Sequence, residues 1–272
     1  MSKMINRRVR LGEAGLVQGT TQGPWNFIYG VSAVKDPKWN IGDSVELPNG
    51  KSFVYCKSSG VCYTGQGNSL FNAVPATGID YSAVYAAAAI GAMSIKMTNQ
   101  GVVAQTEDGL AGGTIILNHS GTSDNSDLQM RGIVGNTAGG VSDVITIYLD
   151  APLTAALTTS SYAFCMPSPY SSVKAGDLPA CSKVGIAATY VSAANMYHWE
   201  QYEGRCWIAP QAGCGSTVHG REVVWRSDGS IQLRALTTGA TVNGEEQQVA
   251  GYIMDNNTAA NGSTEIMLTG HF

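Results

Sequence analysis

Residues 44–55 read SVELPNGKSFVY, and this stretch decides the fold class. Apolar and polar residues alternate on both sides of Asn49-Gly50, a pair that tolerates left-handed backbone and is expected to close a two-residue hairpin turn. The pattern returns at residues 223–235, VVWRSDGSIQLRA, with Asp228-Gly229 at the bend. Between the hairpins lie strand-like runs at 94–98 (SIKMT), 113–118 (GTIILN), 129–134 (QMRGIV) and 144–149 (VITIYL), each bounded by Gly, Asn, Ser or Asp. Two more, 249–254 and 264–269, flank the polar stretch 255–263. The chain therefore reads as mainly β: an antiparallel sandwich or barrel-like body with hairpins and at most one or two short helices. One helix is expected at 79–89, where alanines of high helix propensity follow Asp80 in the first turn.

Composition points the same way. Of 272 residues, 13% are charged, about half the usual share, and 44% are hydrophobic, enough for a sizeable core. No apolar run reaches the roughly 18 residues of a membrane span, so no membrane contact is expected. The basic start lacks a following apolar segment, so no secretory signal is expected and synthesis in a cytoplasm is. Lys3, Arg7, Arg8 and Arg10 face one acid, Glu13, while the whole chain carries −4, which leaves an acidic remainder. An acidic body argues against nucleic acid as a partner.

Residues 11–43 carry isolated aromatics (Trp25, Phe27, Tyr29, Trp39) without helical or strand periodicity. The division expected is an extended N-terminal arm over 1–43 and a β-rich body over 44–272, with two β subdomains divided near 160–184. An arm without its own core must place its aromatics in the body or in a neighbouring subunit. On the second reading, Arg7, Arg8, Arg10, Trp25, Phe27 and Trp39 form a clamp whose deletion leaves the body folded.

The sequence nominates no catalytic residue. It has no GxSxG elbow, HExxH, phosphate-binding loop or dinucleotide fingerprint. His119, His198, His219 and His271 read as surface or aromatic-packed histidines. The six cysteines, 56, 62, 165, 181, 206 and 214, lack zinc-site spacing, and Cys206, Cys214 and His219 find no fourth partner nearby in sequence. They read as buried free thiols, with Cys56 and Cys62 the first choice for any disulfide. Asp124 and Asp127 are too sparse for a calcium loop. No metal or cofactor is expected.

The densest aromatic segment is residues 197–207, YHWEQYEGRCW. A period of two puts Tyr197, Trp199 and Gln201 on one strand face and Glu200 and Tyr202 on the other. Such a segment reads first as core, then as subunit interface, then as a ligand platform.

The runs AAAAIGAMSIKMT (86–98), GLAGGTIIL (109–117), VITIYLDAPLTAALTTSS (144–161) and PSPY (167–170) resemble those of a group of tailed-phage virion proteins. So does the later segment from Val184, where Trp199, Gln201 and Gly204 match a W-x-Q-x-x-G strand. The resemblance implies a capsid cement or decoration protein on the exterior of a phage head, homotrimeric and bound to the major capsid protein. It also makes Trp199, Gln201 and Trp207 candidate partner contacts. The competing reading is a tail or fibre protein that binds a carbohydrate or receptor through exposed aromatics. An enzyme such as a glycan depolymerase would need paired carboxylates in a groove, and none is nominated.

Overall fold

The structure, a computed structural model, describes residues 8–10, 25–70, 79–101, 103–119, 128–176, 181–210, 221–234, 248–254 and 264–270. It is mainly β, with antiparallel sheets forming a half-barrel and a nearly closed barrel. No described helix is long and apolar enough to cross a membrane. The chain divides into two compact units, one of Met1–Arg7, Asn40–Gly42 and Asn72–Pro169, the other of Arg8–Trp39, Asp43–Phe71 and Tyr170–Phe272.

In chain order the strands are β1 (Arg8–Arg10), β2 (Ser44–Glu46), β3 (Ser52–Lys57), β4 (Asn68–Leu70), β5 (Ile79–Ala83), β6 (Ser94–Thr98), β7 (Thr114–Asn118), β8 (Leu128–Asn136), β9 (Val144–Leu149) and β10 (Tyr162–Met166). They continue as β11 (Val173–Lys174), β12 (Lys183–Ala187), β13 (Tyr197–Trp207), β14 (Glu222–Trp225), β15 (Ile231–Leu233), β16 (Val249–Ile253) and β17 (Glu265–Leu268).

The smaller unit holds the sheet β5-β10-β7-β8-β9-β6. Its ends meet: Val84, just past β5, bridges Met97 of β6, and the Tyr85 amide donates to Lys96 O at 2.8 Å. This near-closure leaves little of the free edge that an open sheet exposes. Strand alternation then sends Ile95, Met97, Ile115, Leu117, Ile133, Ile145, Ile147 and Leu149 inward, where all are buried. The helix expected at 79–89 is absent. Residues 79–83 are a strand, and Val84 and Ala88 make bridges to Met97 and Leu157. Ile79, Ser82 and Val84 are wanted in the barrel wall, and that burial outweighs alanine's helix propensity.

The larger unit is built on the path β1-β2-β3-β13-β17-β16-β14-β15, with β12 on β13 and β4 joining β12 to β11. Both predicted hairpins are present, with a correction. Leu47 N donates to Lys51 O and Gly50 N to Leu47 O, so the loop has three residues and only Gly50 is left-handed, at φ 77°. Arg226 N to Ser230 O, Gly229 N to Arg226 O and Gly229 at φ 85° repeat the same turn. A type I turn followed by a left-handed glycine gives this geometry.

β13 is covered on both faces. On one, Trp199 packs with Phe53 and Tyr55 of β3 and with Ile28 and Trp39. On the other, Val54, Cys56, Cys62, Val173, Val184 and Val191 form a second cluster. Of the two places expected for the arm's aromatics, residues 25–39 take the body. These residues make a 3-10 turn at Asn26–Tyr29, and Phe27 stacks on Trp39 at 5.3 Å between ring centroids. Trp39 meets Trp199 edge-on at 5.0 Å. Spaced aromatics without periodicity gain their structure from this tertiary packing. Residues 11–24 lie outside the described residues.

Candidate functional site

Trp199, Gln201 and Gly204, the residues of the W-x-Q-x-x-G strand, build β13 itself. Trp199 is 2% exposed and sits inside the aromatic cluster. β13 shifts register between Gln201 and Glu203. Gln201 is buried and spans the irregularity, its Nε2 donating to Glu203 O (3.2 Å) and Arg205 O (3.1 Å). Gly204 has φ 94°, and a Cβ there would stand 2.6 Å from Gly50 O. Only glycine suits that approach.

Trp39, Trp199 and Gln201 are thus corrected as partner contacts: burial within their own unit leaves them no free face. Phe27 and Trp25 are half-buried against the same cluster. Trp207 differs. It is 43% exposed at the end of β13, with its ring lying against Gly65, where a Cβ would be 2.3 Å from the ring. Nearby in sequence, Tyr63 stacks on Tyr190 at 5.9 Å, both rings exposed. Arg8 and Arg10 lie in β1, which runs parallel to β2; Arg7 lies outside the described residues.

The opposite face of β13 holds what sequence reasoning missed. His198 and Glu200, two apart and hence on one face, are both fully buried. His198 Nε2 lies 2.8 Å from Glu200 Oε1. Asn68 Nδ2, from β4, donates to Oε1 (3.1 Å) and Oε2 (3.0 Å) of the same carboxylate. Asn68 is itself held by Tyr63, donating to its carbonyl and accepting from its amide, each at 3.0 Å. Cys62 completes the group: its thiol, the His198 ring and the Glu200 carboxylate bring one ligand atom each within 4.8 Å of one another. Burial pushes the Cys62 thiol well above its ordinary range, and the Glu200 carboxylate adds to the shift. Cys56, opposite His198 in the β3–β13 register, is shifted the same way by burial, then Glu200, then Cys62.

A second buried ion hangs from the next residue of β4. Lys183 Nζ donates to Ser69 Oγ and Ser227 O, each at 2.7 Å. These contacts pin β4 and the loop after β14 around a satisfied cation.

Cys56, Cys62, Cys165, Cys181 and Cys206 are free thiols. Cys206 is buried in the β14–β17 core, away from any cluster of ligating groups identified among the described residues. Cys214, His219, His271, Asp124 and Asp127 lie outside the described residues. The visible sequence signal for the missed cluster was the spacing His198-x-Glu200 on a strand; its burial followed only from the covering of both faces. No family model, curated protein or solved structure matches the chain.

Proposed function

We propose that this is a structural virion protein, a cement or decoration protein that binds the exterior of a tailed-phage head as a homotrimer and stabilises contacts between major capsid subunits. The observation that carries the reading is the outer face of the closed barrel. β8 sends Gln129 and Ile133 inward, and its outward side chains Leu128 and Met130 are 44% and 65% exposed. A barrel wall that faced only water would place polar residues there. Apolar side chains on the wall of a nearly closed barrel, in a chain with 13% charged residues, suit burial against another protein. The resemblance of residues 86–98, 109–117 and 144–161 to tailed-phage virion proteins supports the same partner. The basic residues Arg7, Arg8 and Arg10 add a salt-sensitive attraction to an acidic neighbour.

The test is retention on heads that lack the protein. Wild-type chain should bind and raise the temperature at which heads rupture, and Leu128→Lys with Met130→Lys, folded by circular dichroism, should bind far less. Undiminished binding by the double variant would remove the barrel face from the account; absence of wild-type binding would remove the capsid reading.

A second reading has its own observation. Trp207 and the Tyr63–Tyr190 stack expose aromatic faces, which suits sugar stacking in a tail or fibre protein. Glycan-array binding lost in Trp207→Ala and Tyr190→Ala would favour it.

A further inference from the structure

We propose that Cys62, His198 and Glu200 form a binding site for a borderline transition-metal dication, zinc first among them, inside the half-barrel. The three ligating atoms come from the loop before β4 and from β13, and all lie within 4.8 Å of one another in a fully buried setting. Ligands on a tetrahedral zinc stand about 3.3–3.8 Å apart, given bonds of about 2.0–2.3 Å. Loading therefore asks for a contraction of at most about an ångström in any of the three separations. His198 Nε2 and Glu200 Oε1, at 2.8 Å, need only open around the ion.

The donor set chooses the metal class. One thiolate, one imidazole and one carboxylate suit zinc and its neighbours, whereas calcium and magnesium take oxygen. The outer contacts that metal ligands require are already in place. His198 Nδ1 faces Met196 O at 3.5 Å, which directs Nε2 inward as the ligating nitrogen. Asn68 anchors the carboxylate and is anchored in turn by the Tyr63 backbone.

Charge balances on loading. The Cys62 thiol gives up its proton as the dication enters, and His198 Nε2 and a Glu200 oxygen turn to the ion. Thiolate and carboxylate then neutralise the ion in a site with no water-facing side, which avoids an uncompensated buried charge. The role is a staple: β13 and the Cys62–Asn68 segment are joined through one centre.

The probe is cobalt(II), added to chelator-stripped, reduced full-length protein. One equivalent should give a sulfur-to-cobalt charge-transfer band with tetrahedral visible bands, and zinc should abolish both. Cys62→Ser should lose the charge-transfer band and His198→Ala should weaken binding at least tenfold. Zinc should raise the melting temperature of wild type and not of Cys62→Ser. Because either variant can misfold, X-ray absorption at the zinc edge of loaded wild type is the second measurement. Sulfur together with nitrogen or oxygen in the shell is expected. No charge-transfer band, a band that survives Cys62→Ser, or a shell without sulfur would each overturn the proposal. None of these outcomes bears on capsid binding.

Discussion

The two units solve the problem of a β core in opposite ways. The closed barrel is filled by aliphatic side chains, Ile95, Ile115, Leu117, Ile133, Ile145 and Ile147 among them, with no aromatic in the cluster. Its buried polar groups are neutral: Asn136 accepts from Leu110 N at 2.8 Å and donates to Thr106 O and Thr137 O, and Asn99 donates to Val103 O and Gly140 O. The half-barrel instead packs Trp39, Phe53, Tyr55 and Trp199 on one face of β13 and buries Glu200, His198 and Lys183. A wall closed on itself satisfies its own backbone and needs only branched side chains to fill a narrow interior. An open sheet must recruit covering segments, and it does so with broad rings and with ions that fix those segments in place.

Truncation tests this contrast most severely. Deleting residues 1–40 removes Phe27, Ile28 and Trp39 from the cluster around Trp199, so the half-barrel should lose its near-ultraviolet circular dichroism and its cooperative unfolding transition. A free arm would leave both unchanged. Trp199→Ala comes next, with an expected loss of about 3–5 kcal/mol in denaturant unfolding. Glu200→Ala should cost about 3 kcal/mol or more, because it takes away the buried partner of His198 Nε2 and one of the two acceptors of the Asn68 amide. If it costs under about 1 kcal/mol, the buried network is not what secures β4.

The barrel should respond more gently to shape. Ile147→Val, which removes one methylene from an aliphatic interior, should cost about 0.5–1.5 kcal/mol. A larger loss there than at Trp199 would reverse the comparison.

The smallest effect concerns the second hairpin. Burial pushes the Asp228 carboxyl up, but the Ser230 hydroxyl and amide, with Arg226 nearby, outweigh it and hold the carboxyl below the ordinary carboxylate range. A depressed folded value means stability present above the unfolded carboxylate range and lost as pH falls through the folded one. Wild type should therefore lose slightly more stability than Asp228→Asn on acidification from neutral pH. Parallel acid profiles would show that the turn owes nothing to this charge.

How much of this was legible in the sequence follows the same division. The barrel strands at 94–98, 114–118 and 144–149 show their alternation openly, since a closed wall has one apolar face. The hairpins were visible from Asn49-Gly50 and Asp228-Gly229, although the extra loop residue was not. Residues 79–89 misled because local propensity favours a helix and only barrel closure makes a strand. Residues 25–39 read as an arm because their partners, Trp199 above all, lie some 160 residues away and leave no local period. His198 and Glu200 were legible as sharing a face, yet polar residues on a strand ordinarily mark the side in water. Covering of that side by β4 and the Cys62 loop is a tertiary fact.

The account's central claim, a capsid-binding barrel, is tested most directly by a cryo-EM reconstruction of the assembled particle. The prediction is density for this chain on the outside of the head, between neighbouring major capsid subunits, in threefold groups, with β8 facing the shell. Density at the tail alone, or a head surface bare of this chain, would contradict it.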